Sequence, residues 1–303
     1  MLTYTSNDNV TLIEKIRGYA QILKFRLSFL VAFSGAMAFI VASHSVNYLN
    51  LMLFVVGGFF VTAAANIINQ IKEVEYDKLM KRTQNRPLPT GVLNKKEAAI
   101  FCVILGIVGL SIHFYLLNPL TALLSFISLL LYGFAYTPLK RVGPIAVFVG
   151  AFPGAFPPLI GWVACTGSIV NGVDGTPEMM GLILFGIQFI WQFPHFWAIA
   201  WVGDEDYQNA GFKLLPNKGG KNISTAFNIM IYTLFLIPLS LLPHYFGVTG
   251  IKSAVVVTIA GVLFLIQTFQ LMRSCDKAAA LKMMFGSFFY LPIVQIAFVL
   301  DKI

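Results

Sequence analysis

Residues 98–139 read AAIFCVILGIVGLSIHFYLLNPLTALLSFISLLLYGFAYTPL and contain no Asp, Glu, Lys or Arg. An apolar helix of roughly 20 residues crosses a bilayer, so this stretch is long enough to cross it twice. Three other stretches, 142–173, 179–203 and 222–251, are equally free of these charged residues. Together they predict membrane-spanning helices that follow one another along the chain.

The composition of the whole chain supports the same conclusion. Of its 303 residues, 57% are hydrophobic and only 11% are charged, whereas about 25% of the residues of a soluble domain are charged. This excludes a disordered chain, a collagen-like fibre and an ordinary cytosolic enzyme. A lipid bilayer explains the net charge of +8 better than nucleic acid does, so no nucleic-acid partner is expected. The three cysteines are too few and too scattered for a disulfide framework or a zinc site.

We predict an all-α, polytopic membrane helical bundle of about nine transmembrane helices. The predicted spans are 25–43, 51–71, 98–117, 119–137, 144–165, 179–201, 225–243, 252–271 and 284–300. Residues 1–23 are interpreted as a cytoplasmic N-terminal tail, and 24–303 as a single transmembrane domain. Pro153, Pro157 and Pro158 are expected to break the fifth span, either for close helix packing or to form a cavity wall.

The basic residues indicate the orientation of this bundle. With nine spans, every Lys and Arg except Lys252 and Lys302 falls on one side of the membrane. Because basic loops face the inner side, the N-terminus is predicted to be cytoplasmic or on the equivalent inner side.

The segment after the second span carries an unusual set of polar residues. Asn69, Glu73 and Asp77 are spaced i, i+4 and i+8, so on a helix continuing from this span they would share one face. Glu73 and Asp77 are like charges one turn apart, which destabilises a helix unless a cation lies between them. Such a placement is typical of a functional site. The alternative is a solvated helix at the membrane surface whose charges balance one another.

Oxygen ligands on one face suit a Mg²⁺ ion bound to a diphosphate. Mg²⁺ takes one or two carboxylates together with phosphate oxygens, and nearby basic side chains would bind the phosphates. The basic side chains that follow this segment are Lys81, Arg82 and Arg86. A second acidic cluster, Asp204-Glu205-Asp206, follows the sixth span on the same side. We therefore expect the two clusters to converge and to hold one diphosphate through divalent ions.

These residues resemble the UbiA superfamily of intramembrane prenyltransferases. Its first aspartate-rich motif, N-x-x-x-D/E-x-x-x-D, is matched by Asn69, Glu73 and Asp77. The continuation M-x-R-T-x-N-R-P-L is matched over residues 80–88, and the Y-x-x-x-K motif by Tyr136 and Lys140.

Two further stretches are similar to one branch of this superfamily, the protoheme IX farnesyltransferases. They are GAFPPLIG at residues 154–161 and WQFPHF at residues 191–196. The resemblance implies that the farnesyl group of farnesyl diphosphate is transferred to a vinyl group of haem b, giving haem O in a Mg²⁺-dependent reaction. Haem b is then a substrate rather than a cofactor, and a haem A synthase is the partner protein that the resemblance suggests. The resemblance also implies a bacterial cell (inner) membrane or the mitochondrial inner membrane, with the active site on the inner face.

The resemblance also implies roles for individual residues. The metal ligands would be Asn69, Glu73, Asp77, Asp204 and Asp206. The diphosphate would be bound by Lys81, Arg82, Arg86 and Lys140. The catalytic set would be Asn69, Glu73, Asp77, Tyr136, Lys140 and His195, and haem would contact Trp191, His195 and Trp197.

Two other functions are compatible with a polytopic bundle. A UbiA-type prenyltransferase acting on an aromatic quinone precursor would carry a second D-x-x-x-D motif, which residues 204–206 do not reproduce. A membrane transporter would place ionisable residues along a path through the bilayer, whereas here they cluster at one face. Among the four histidines, only His195 lies near the inner end of a predicted span. It could ligate the haem iron or orient the porphyrin, and the sequence does not choose between these roles.

Overall fold

The computed structural model describes residues 10–216 and 220–303, and within them nine helices are long and apolar enough to cross a membrane. The helices are α1 (Leu12–Ile22), α2 (Phe25–Ala42), α3 (Tyr48–Asp77), α4 (Lys95–Leu116), α5 (Pro119–Leu130), α6 (Thr137–Leu139), α7 (Ile145–Thr166), α8 (Met180–Val202), α9 (Asp204–Asn209), α10 (Ile223–Tyr245), α11 (Ile251–Ser274) and α12 (Lys277–Leu300). A π-helical turn, Leu131–Tyr136, joins α5 to α6 within one span. The predicted all-α bundle of nine spans is confirmed for the described residues.

Most predicted helix ends agree with the structure within a few residues. The second span is longer than predicted, because α3 continues to Asp77 and carries the polar segment on its last two turns. The last span begins at Lys277 rather than at 284, because the Asp276 side chain accepts a hydrogen bond from the Ala279 amide and caps the helix there. Residues 1–9 of the predicted tail lie outside the described residues, and 12–22 form α1.

Helix α7 is the most buried span and packs against α2, α5 and α8. The expected break in this span is wrong, since the helix is continuous from Ile145 to Thr166. Proline has no amide hydrogen, so Pro158 leaves the carbonyl of Gly154 without its helical partner. The side-chain amides of Gln188 and Gln192 donate to that carbonyl at 2.7 and 2.9 Å. Two glutamines of α8 therefore stabilise the irregular part of α7.

Small residues allow α2 and α7 to approach closely. A Cβ atom added at Gly161 would overlap the backbone carbonyl of Gly35, so neither helix could stay in place. Beside this contact, the Ser34 hydroxyl donates to the Gln188 side chain at 2.6 Å and accepts from the Gln295 side chain at 2.7 Å. This buried network joins α2, α8 and α12. Close packing of glycine and interhelical hydrogen bonds replace the hydrophobic effect in holding membrane helices together.

Candidate active site at the ends of helices α3 and α8

The last turns of α3 bury three polar side chains on one face. Asn69, Glu73 and Asp77 are 2%, 5% and 0% exposed. Buried carboxylates are costly unless cations and hydrogen-bond donors compensate them. The structure supplies these partners from other parts of the chain.

Each buried carboxylate has its own cation. The Nζ atom of Lys140 lies 3.0 Å from Oε1 of Glu73 and donates a hydrogen bond to Oε2 at 3.2 Å. The Nη1 atom of Arg86 donates to both carboxylate oxygens of Asp77, at 3.0 and 2.8 Å. The Asn69 side-chain amide donates to the Thr137 hydroxyl at 3.2 Å. Cations that could bind a diphosphate therefore lie beside carboxylates that could bind a metal.

The π-helical turn positions Tyr136 and Lys140 for these contacts. Lys140 follows α6, and its Nζ atom lies 4.8 Å from the centre of the Tyr136 ring. Burial of Lys140 opposes its ionisation, but the Glu73 carboxylate outweighs burial and raises the pKa of Lys140 above its ordinary value. Lys140 is therefore a permanent cation of the site. Single π-helical turns occur frequently at functional sites.

A third basic residue, Lys24, was not predicted as a site residue. It caps the start of α2 with left-handed backbone (φ 48°). Its amino group lies within electrostatic range of the Glu73 and Asp77 carboxylates and of Arg86 and Lys140. The only sequence signal was its position in the basic pair Lys24-Phe-Arg26 at the start of the first span, which also fits a purely topological role.

The second acidic cluster contacts the loop that follows α3. The Asp206 carboxylate accepts hydrogen bonds from the backbone amides of Lys81 and Arg82, at 3.2 and 3.3 Å. The Arg82 guanidinium donates to the Tyr207 hydroxyl at 3.2 Å. Asp204 accepts from the Gln208 side chain and pairs with Lys221 at 3.4 Å. Both acidic clusters thus lie at the same end of the bundle, but Asp204 and Asp206 have partners of their own.

The donor atoms at the end of α3 fit a Mg²⁺ ion that arrives with a diphosphate. Within 10–216 and 220–303, no three His, Cys, Asp or Glu side chains form a group that could hold a metal ion. Mg²⁺ does not require such a group, because phosphate oxygens and water complete its shell. Within the described chain, the one group close to the enclosed Oε1 atom of Glu73 is the Lys140 ammonium at 3.0 Å, so movement of that cation towards a phosphate would free a buried carboxylate oxygen for a metal ion.

Helix α8 connects His195 to this cluster through two successive aromatic contacts. The His195 ring lies 5.4 Å from the ring of Phe196, and Phe196 lies 6.2 Å from Tyr136, measured between ring centres. Trp191 stacks on His195 at 4.2 Å. His195 and Lys140 are thus linked through the rings of Phe196 and Tyr136.

The side chains of two predicted site residues make no contact with the buried cluster in the described part of the chain. The side chain of Lys81 is exposed. Trp197 packs against Phe193 and against Tyr232 of α10, at 5.5 and 5.2 Å between ring centres. Neither contact joins Trp197 to His195.

Residues 28–291 match the sequence profile of the UbiA prenyltransferase family. The chain belongs to this family. A protoheme IX farnesyltransferase from Cytophaga hutchinsonii is 55% identical over 95% of this chain and 99% of its own length. Another from Christiangramia forsetii is 40% identical over 94% of this chain and 93% of its own length. These relatives of the chain favour neither of the two alternative functions, the quinone-directed prenyltransferase and the transporter.

The chain also shares its fold with solved structures. A digeranylgeranylglyceryl phosphate synthase superposes with a TM-score of 0.77 at 24% identity, covering 95% of this chain and 98% of that chain. A UbiA homologue from Archaeoglobus fulgidus bound to DMAPP and Mg²⁺ superposes with a TM-score of 0.64 at 15% identity, covering 94% and 98%.

Proposed function

We propose that this prenyltransferase transfers the farnesyl group of farnesyl diphosphate to a vinyl group of haem b, giving haem O and diphosphate. The relatives at 55% and 40% identity are protoheme IX farnesyltransferases. The observation that carries the chemistry is the buried cluster of Glu73 and Asp77 with Lys140 and Arg86. This cluster combines metal-binding oxygens with the cations that a diphosphate requires.

The metal in this proposal is Mg²⁺, held by Asn69, Glu73 and Asp77. The A. fulgidus homologue with the same fold is bound to DMAPP and Mg²⁺, which supports the choice. Bound there, the ion would neutralise charge that develops on the departing diphosphate. Asp204 and Asp206 remain candidates for a second ion, and either would have to exchange its present partner for it.

The basic side chains stabilise the leaving group. Arg86 and Lys140 balance the charges of Asp77 and Glu73. A diphosphate with its metal would compensate the same carboxylates, so the two cations, together with Lys24, become available to the phosphate oxygens. Fixed cations in a site shielded from water are worth far more to a developing anion than they would be in solution.

The bond changes can be followed on the farnesyl and vinyl carbons. The bond between C1 of the farnesyl group and the diphosphate oxygen breaks, and its electron pair leaves with the diphosphate. The vinyl π electrons form the new carbon–carbon bond to C1. The cation left beside the porphyrin then takes up a water molecule, which releases a proton. The faces of Tyr136 and Phe196, which lie between Lys140 and His195, would stabilise the allylic cation.

We further propose that the site faces the cytoplasmic or inner side of a bacterial cell membrane or of the mitochondrial inner membrane. The support is the concentration of Lys and Arg at the end of the bundle that holds the site.

The test is conversion of haem b by the purified protein with farnesyl diphosphate and Mg²⁺, followed by mass spectrometry of the pigments. The wild type should produce haem O, and Asp77→Asn should produce none while it still inserts and folds. Glu75→Gln is the matched control, because Glu75 lies on the same helix with its side chain 64% exposed, and it should retain activity. No haem O from the wild type would refute the function. Full activity of Asp77→Asn would refute the metal assignment.

A further inference from the structure

The hydrogen bonds around His195 determine which of its ring nitrogens carries the proton. The Ser287 hydroxyl has a single proton, and it donates that proton to the Met284 carbonyl at 2.6 Å. The Ser287 oxygen also lies 2.9 Å from Nδ1 of His195, so in this contact it can only accept. Nδ1 therefore carries the proton, and Nε2 of the neutral imidazole has a free lone pair.

Trp191 fixes the orientation of the same ring. Its indole lies 4.2 Å from the imidazole between ring centres, with 21° between the planes. The indole Nε1 donates to the backbone carbonyl of Ser287 at 3.0 Å. One residue of α12 thus anchors both members of the stacked pair. Flipping the imidazole would break its hydrogen bond to Ser287.

The free nitrogen of His195 is open to a ligand. Within the described chain, no residue makes a hydrogen bond to Nε2. This atom is also not fully enclosed by the protein. The imidazole is half-buried. Phe196 and Phe288, at 5.4 and 5.3 Å between ring centres, supply apolar faces around it. A large apolar ligand with an electron-accepting centre suits this environment.

We propose that Nε2 of His195 is an axial ligand to the iron of a bound metalloporphyrin, and that Ser287 and Trp191 are positioning residues for it. A metal-ligating histidine characteristically donates its other N–H to a fixed acceptor, which sets the tautomer and raises the basicity of the ligand. The identification of the porphyrin as haem b rests on the proposed function. The rings of Phe196 and Tyr136 connect this ligand position to Lys140 of the diphosphate site.

The test is a titration of the purified full-length protein with ferric haem b in the absence of farnesyl diphosphate, followed by absorption and electron paramagnetic resonance spectra. The wild type should give the spectrum of a histidine-ligated haem. His195→Ala should lose this signature, and added imidazole should restore it. Ser287→Ala should weaken binding by about tenfold or more, and Ser287→Thr should retain it. Ser240→Ala, which removes another buried hydroxyl packed against α12 through Tyr290, is the control and should change nothing.

Each other outcome has a definite meaning. An unchanged haem spectrum in His195→Ala would overturn the proposed iron ligation. The proposed function would still stand in that case, provided that the wild type forms haem O. If His195→Ala stops haem O formation while its haem spectrum is unchanged, His195 acts on the added water instead, and the inference fails. A wild type that neither binds haem b nor forms haem O would overturn the proposed function itself.

Discussion

Replacing Arg86 with methionine separates the structural role of the buried ion pair from its chemical role. Arg86→Met removes the guanidinium that contacts Asp77, whose side chain is 1% exposed. Removing one partner of a buried pair costs about 3–5 kcal/mol, because the other charge remains buried and uncompensated. The Arg86 side chain is 24% exposed, so water can compensate in part and we expect about 3 kcal/mol.

This loss should be visible in the thermal unfolding of the detergent-purified protein. A change of 3 kcal/mol corresponds to a fall of roughly 6–12 °C in the unfolding midpoint. Asp77→Asn/Arg86→Met removes both charges and should recover most of the midpoint. The double variant should still form no haem O, because the groups that bind the metal and the diphosphate are gone. Stability and activity are therefore expected to separate.

Lys78→Met is the matched control for the ion pair. Lys78 pairs with Glu75 at 2.9 Å at the same end of α3, but the two side chains are 48% and 64% exposed. An exposed pair contributes about 0–1 kcal/mol, so the midpoint should hardly change. An Arg86→Met variant as stable as the wild type, or haem O formation by the double variant, would refute the reasoning.

Three further predictions concern packing, pH and the metal. Gly161→Ala should lower the unfolding midpoint, because its Cβ would overlap the Gly35 carbonyl. Gly186→Ala is the control and should leave the midpoint unchanged, because the atom nearest to its added Cβ lies 4.0 Å away. Equal midpoints for the two variants would contradict the close α2–α7 contact. The pKa of Lys140 is raised above 10.5, so the Glu73–Lys140 pair should stabilise the protein by a constant amount between about pH 7 and 9.5, and this stabilisation should decrease as the pH rises through the raised pKa. The measurement is the difference in unfolding midpoint between the wild type and Glu73→Gln/Lys140→Met as a function of pH. A difference that already decreases at neutral pH would show that the pKa of Lys140 is not raised. Chelation with EDTA should stop haem O formation and added Mg²⁺ should restore it, while haem b binding persists; haem O formation in EDTA would exclude the metal.

The spans and the polar face of α3 could be predicted from the sequence for simple physical reasons. Charged residues are expensive in the bilayer core, so charge-free stretches such as 98–139 mark the helices directly. The helical spacing of Asn69, Glu73 and Asp77 predicts that they share one face if the helix continues beyond residue 71. The structure shows that α3 does continue, to Asp77. Both predictions therefore rest on local features of the sequence, the absence of charge for the spans and the helical spacing for the polar face.

The remaining site residues depend on contacts between distant parts of the chain. Lys24 comes within electrostatic range of the carboxylates of α3 because α2 packs beside that helix. Asp206 binds backbone amides, which no pattern of side chains reveals. The role of Ser287 is visible only once α12 lies against α8. Trp197 shares a helix with His195 but points towards α10, so its haem contact stays a prediction without geometric support.

Binding of Mn²⁺ in place of Mg²⁺, together with an unreactive analogue of farnesyl diphosphate, tests most directly whether Glu73 and Asp77 hold a metal–diphosphate complex. Electron–nuclear double resonance on the wild type should show phosphorus coupled to the bound Mn²⁺. In Asp77→Asn both the coupling and the tight Mn²⁺ site should be lost, whereas Glu75→Gln should retain them. The same coupling and the same Mn²⁺ affinity in Asp77→Asn would place the diphosphate elsewhere in the protein.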